Sequence, residues 1–291
     1  MTDFLRAREA GDSSPRDYPP LPEPLTVPVY DNHTHLEIAD GSEPIDYREQ
    51  LDRASSVGVR GVVQVGTDLA TSRWSAEIAS HEPRVLAAVA IHPNEAPELL
   101  QQGLLAEHLS GIAELATRPR VRAIGETGLD FYRTPDEAGR DAQYRSFEAH
   151  IEIARRNDLA LQIHDRDAHR EVVETLYRVG APERTVFHCF SGDAEFAKLV
   201  ADAGWYLSFA GTITFKNAEN LREALSVIPR SRILVETDAP YLTPMPHRGR
   251  PNASYLIPLT VRALAETRGD DVDELCAAIS ANGERVFGPW R

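Results

Sequence analysis

Residues 31 to 35 read DNHTH and follow the apolar run VPVY. If that run is a strand, residues two apart share a face, so His33 and His35 can aim at one point. Further polar groups close later apolar runs: His92 after VLAAVAI, Glu126 in VRAIGETGLD, His164 in ALQIHDR, His188 in TVFHCF and Asp238 in RILVETD. Singly, each has an ordinary structural role open to it. A strand-end histidine can hydrogen-bond within the fold, Glu126 can cap a helix or form a salt bridge, and Asp238 can serve a turn before Ala-Pro. Jointly, His33, His35, Glu126, His164, His188 and Asp238 read as a metal site, because imidazole and carboxylate suit Zn, Mn, Ni or Fe. Six groups exceed what one ion takes from protein, and two ions sharing a carboxylate is the economical arrangement. Hydrolytic sites of this type often bridge their ions with a modified lysine. The only lysines, Lys198 and Lys216, do not end the fourth run, whereas Glu126 lies there and is the bridging candidate. Cys189 follows His188 directly, so on a strand it should point the other way, towards the helices.

The elements that must bring these groups together are legible as a repeat. Short β-branched runs occur at 27–35, 59–66, 85–93, 121–130, 160–166, 185–190, 205–211 and 232–238. They are continuously apolar rather than alternating, as expected of parallel strands covered by helices on one side and core on the other. Between them lie helical patterns such as DEAGRDAQYRSFEAHIEIARRN (136–157) and DAEFAKLVADAG (193–204). Strand and helix alternating eight times predicts an α/β fold of the (β/α)8 barrel type, a TIM barrel, with the polar strand ends at its C-terminal mouth. The competing doubly wound sheet would more often carry a glycine-rich phosphate loop after its first strand, and DNHTHLEIADG is not one.

The whole chain of 291 residues suits one barrel domain over 25–291. Residues 1–24 are rich in Pro, Asp, Ser and Arg without apolar periodicity, and are expected to form a flexible, poorly ordered extension. A net charge of −14 argues against a protein that coats DNA non-specifically, although bound metal ions reverse the local field. Cys189 and Cys276 lack paired spacing, no apolar stretch is long enough for a membrane span, and the N-terminus lacks a signal peptide's apolar centre. A reducing, cytoplasmic location is expected.

The stretches DNHTHLE, AIHPNEA, AIGETGLDFYR, IHDRDAH, FHCFSG, ITFKNAENLR and ILVETDAPYLTPMPHRGRPN, in this order and spacing, resemble the TatD-like metal-dependent deoxyribonucleases, a family of amidohydrolase-type barrel enzymes. The resemblance runs from about residue 27 to the C-terminus. It implies that His33, His35, Glu126 and Asp238 hold one divalent ion and Glu126, His164 and His188 the other, with Mg or Mn allowed at the weaker site. One departure is Pro251-Asn252-Ala253-Ser254, where close relatives often read NEP after the HRG stretch; it bears on substrate contacts, not on metals.

The expected activity is hydrolysis of phosphodiester bonds in DNA, from an end of a single strand. Asp238 is expected to be a ligand and the proton acceptor for water, with Glu126 the other catalytic group. Glu236, two residues earlier, would orient a ligand histidine. His92, Arg133, Arg166, His247 and Arg248 are candidate substrate contacts. Phe131, Tyr132, Phe190, Phe215 and Tyr241 could stack bases or pack in the core. His81, His108, His150 and His169 are expected to face solvent. Two other readings stay open: ester or amide hydrolysis, such as deacylation of a D-aminoacyl-tRNA, and a metal-binding scaffold without turnover.

Overall fold

The eight apolar runs form eight strands in the computed structural model, which describes residues 5–8 and 17–290. They are β1 (Val29–Thr34), β2 (Val59–Val65), β3 (Val85–Val89), β4 (Val121–Asp130), β5 (Ala160–Arg166), β6 (Thr185–Phe187), β7 (Tyr206–Phe209) and β8 (Ile233–Val235). Each pairs in parallel with its successor. The ring closes where β8 meets β1: Asn32 Nδ2 donates to the Val235 carbonyl at 2.9 Å, and a parallel bridge joins Thr34 to Ala239. Asp238 N donates to the His33 carbonyl at 2.9 Å and His35 N to that of Ala239 at 2.8 Å, so the closing bonds run through the candidate ligands themselves.

The connecting helices are α1 (Tyr47–Ser56), α2 (Leu69–His81), α3 (Ala96–Gln101), α4 (Leu105–Leu115), α5 (Glu137–Arg156), α6 (His169–Val179), α7 (Ala194–Asp202), α8 (Glu219–Val227), α9 (Ile257–Arg268) and α10 (Val272–Phe287). Several start where the sequence offers a cap. Asp46, Asp68, Asp136, Asp193 and Asp271 each accept a backbone N–H from the first turn.

Strand residues alternate between two apolar layers. Val62, Val85, Ala87, Leu207 and Ile233 belong to the layer under the helices, whereas Val63, Leu86, Ala88, Val186, Tyr206 and Leu234 form an inner cluster. Tyr30 and Trp290, stacked at 3.8 Å, belong to that inner cluster. The inner parity continues upwards through Gln162 to His164, through Val186 to His188 and through Leu234 to Glu236, so the barrel's own pleat aims these side chains at its axis.

Within the extension expected over 1–24, residues 5–8 and 17–24 are described, and they contact the barrel. Arg6–Ala7 adds a short parallel strand to Ile38–Ala39. Arg250 donates to the carbonyls of Asp17 and Tyr18, and Arg262 to those of Glu23 and Pro24. Proline-rich composition removes helical and sheet patterning but leaves carbonyls that arginines of the barrel can hold. Residues 1–4 and 9–16 lie outside the described residues.

Candidate metal centre

His33 sits at the middle of the mouth with its side chain fully buried, and neither ring nitrogen has a hydrogen-bond partner among the described residues. A buried imidazole in that condition forfeits the bonds water would have made, and a cation restores one. Its neighbours supply the rest of a ligand set. His33 Nε2 is 3.7 Å from Asp238 Oδ1 and 3.8 Å from Glu126 Oε1, while His35 Nε2 is 3.5 Å and 3.6 Å from the same two oxygens. The other oxygen of Glu126 faces a different group: Oε2 lies 2.8 Å from His188 Nε2, 3.2 Å from His164 Nδ1 and 3.8 Å from His92 Nε2. Three sets could therefore hold an ion: His33, His35 and Asp238; His33, Glu126 and His188; and His92, Glu126 and His164.

Two of these side chains arrive through irregularities. The pairing of β1 with β2 slips between Asp31 and Thr34, and that of β4 with β5 slips between Ile124 and Thr127. Asn32 and Gly125 carry the inner parity of their strands, so the slips are what turn the adjacent His33 and Glu126 to the centre. Two residues on, Gly128 has φ +144, and a Cβ there would collide with the His164 carbonyl oxygen. Only glycine lets β4 and β5 approach so closely at this point.

The charges explain the titration of the metal-free centre. Burial alone would lower His35, but the hydrogen bond to Asp238 and the charges of Glu37, Glu126 and Asp238 raise it to about 9. Burial is likewise outweighed at His188 by Glu126 and Glu236, and at His164 by Asp130 and Glu126, so both rings are raised. Burial and the neighbouring His188 hold His33 well below its usual range. Burial takes His92 down to about 3. At Glu126, burial is overcome by His188 and His92, and the carboxyl is held well below normal.

The match to known proteins covers this whole arrangement. Residues 30–288 fit the model of the family described as "TatD related DNase". The chain belongs to the TatD family. It is 42% identical over 263 residues to a metal-dependent hydrolase TatD of Mycobacterium tuberculosis, covering 89% of this chain and 98% of that one. It is 34% identical over 253 residues to the 3'-5' ssDNA/RNA exonuclease TatD of Citrobacter rodentium, covering 84% and 92%. Among solved structures, the TatD homologue YJJV of Escherichia coli superposes with a TM-score of 0.80 at 25% identity, over 90% of this chain and 98% of that one. The protein is thus a TatD-type metal-dependent hydrolase with the family's barrel fold.

Around the TatD centre, acceptors orient the rings. His35 Nδ1 is 3.0 Å from the Val65 carbonyl, which holds the proton there and frees Nε2. Glu236, fully buried, sits 3.2 Å from His188 Nδ1 and also accepts Cys189 N at 2.8 Å, the orienting geometry expected of it. His92, Arg133 and Arg166 line the cleft, a cavity of about 480 Å³ that opens on the centre. His247 and Arg248 do not line it; the Arg248 guanidinium lies 4.5 Å over the Phe215 ring. Of the aromatics singled out, Tyr241 lines the cleft and Tyr132 is exposed beneath Arg166 at 4.0 Å, whereas Phe190 is core.

Two expectations fail here. Cys189 lines the cleft instead of facing the helices, because β6 ends at Phe187 and the chain turns at Cys189 with φ +41. His150 is fully buried, its Nδ1 2.8 Å from Thr127 Oγ1 and its Nε2 accepting Ile91 N at 3.2 Å. It ties the residues beside Glu126 and His92 to α5. Sequence reading also passed over Asp130, 3.3 Å from His164 Nε2, although it lies an even four residues beyond Glu126 on one strand.

Proposed function

We propose that the chain hydrolyses phosphodiester bonds at an end of a single DNA strand, using two divalent ions. The division of Glu126 carries this reading: one oxygen faces His33 and His35, the other faces His92, His164 and His188. A carboxylate so divided fits one ion held by His33, His35, Glu126 and Asp238, and a second held by Glu126, His164 and His188, with His92 in reach. Imidazole-rich coordination favours Zn, Mn, Ni or Fe at the tighter position and allows Mg or Mn at the weaker. Such ions make hydroxide available near neutral pH and stabilise charge on phosphoryl oxygens.

The chain's own residues do the rest. Asp238 accepts the proton of the attacking water at a carboxylate oxygen. Arg133 and Arg166 hold the phosphate in the cleft, and Tyr132 beneath Arg166 offers a face for a base. The family name and the exonuclease name of the Citrobacter relative support nucleic acid over an acyl substrate. The test is a parallel assay of metal-loaded protein on single-stranded DNA, D-aminoacyl-tRNA and simple esters. Release of mononucleotides, abolished by His33→Ala or Glu126→Ala, is the expected result. Hydrolysis of esters or aminoacyl-tRNA alone would overturn it.

A further inference from the structure

The family match begins at residue 30, yet a segment well before it reaches the metal centre. Leu5 N and Arg6 N donate to the Glu37 carbonyl at 3.0 and 3.4 Å, and Arg8 N to that of Ala39 at 2.9 Å, which seats residues 5–8 as an added strand beside the mouth. Two arginines of this arm then reach inwards. Arg6 donates through Nε and Nη2 to Glu37 Oε1 at 3.2 and 2.7 Å. Glu37 is fully buried; its Oε1 is 3.9 Å from His35 Nδ1 and its Oε2 accepts Gln64 Nε2 at 2.7 Å. A buried carboxylate needs a compensating cation, and Arg6 supplies it. Arg8 Nη1 donates to the Pro240 carbonyl at 2.6 Å and to Asp40 at 3.1 Å, and its guanidinium lies 5.1 Å from the Tyr241 ring. Tyr241 N in turn donates to the Asp238 carbonyl at 2.9 Å.

Both lines of contact end on the same side of the centre, at His35 and Asp238, and among the described residues the arm's two arginines are not bonded to His164 or His188. We infer that Arg6 and Arg8 are positioning residues for the His33–His35–Asp238 subsite, contributed by a segment outside the family barrel. Arg6 compensates the buried Glu37 carboxylate, whose charge lies 3.9 Å from His35 Nδ1, and Arg8 fixes the Pro240–Tyr241 turn that follows Asp238. The inference rests on reading those three residues as metal holders.

The experiment titrates metal-free full-length protein with Mn²⁺ by calorimetry, for wild type, Arg6→Ala, Arg8→Ala and the double variant. One binding step should weaken by up to about tenfold, the low end of what removing a ligand's own partner does, and the other should not move. Arg262→Ala loosens the extension further on, at Glu23 and Pro24, and should leave both steps unchanged. Glu37→Gln added to Arg6→Ala should recover part of the loss, which a merely structural role of the arm would not produce. Arg6→Lys, with charge kept, covers the case that the alanine variant folds poorly. Wild-type isotherms in the double variant would overturn the inference while leaving the metal reading intact. A wild type that bound no Mn²⁺ would overturn both.

Discussion

At the scale of single residues, Asp238 is unusual in two ways at once. It faces two imidazoles, and its backbone has φ +53, in the left-handed region that asparagine and aspartate tolerate best. Asp238→Asn therefore removes the charge without adding backbone strain. We expect kcat to fall about a hundredfold or more, with the circular-dichroism spectrum of metal-free protein unchanged; near wild-type turnover would exclude Asp238 as proton acceptor. Glu236→Gln should weaken metal binding about 10- to 100-fold through the freed His188 ring, read by calorimetry. The pH dependence has a definite sign. His35 carries a proton below about 9 in the metal-free centre, and a metal must displace it, so metal affinity should fall as pH drops from about 9 to 6. Conversely, the raised His35 adds stability to the metal-free fold below its unfolded value near 6.5, and that contribution is lost as pH rises through about 9. Urea midpoints of metal-free protein at pH 6 and 9 check this, with no such loss expected once metal is bound.

At the scale of elements, the strand register decides what was readable. The eight strands were legible because a continuous β-branched run has few other homes, and the i, i+2 rule paired His33 with His35, whose rings face the same two oxygens. The same rule could not foresee the slips in β1 and β4 that bring in His33 and Glu126, since a slip leaves no residue type behind. Cys189 was misread for a related reason: its strand stops two residues short of it. His150 was misread because only its face of α5, turned towards Thr127 and Ile91, decides its burial. That burial also carries a prediction. His150→Leu leaves Ile91 N without its acceptor, and a buried unpaired donor costs about 1–3 kcal/mol. Urea denaturation should show a lower midpoint at unchanged slope, and an unchanged midpoint would remove His150 from its bracing role.

At the scale of the molecule, the chain carries a charge of −14, and Arg133 and Arg166 are the arginines that line the cleft. With Arg133 and Arg166 each meeting one phosphate, the dependence of log affinity on log salt should have a slope of about −1.4, measurable by fluorescence anisotropy on Asp238→Asn protein. A much steeper slope would mean that DNA runs over a wider surface. The barrel seam has a consequence for how the enzyme comes into being. Its closing bonds join His33 and His35 to Asp238 and Ala239, so the first and last parts of one site are made far apart in time on the ribosome. A nascent chain holding His33, His35, Glu126, His164 and His188 still lacks the strand that brings Asp238 beside them. Chains broken off before residue 238 lack this carboxylate of the candidate site together with the hydrogen bonds that close the seam.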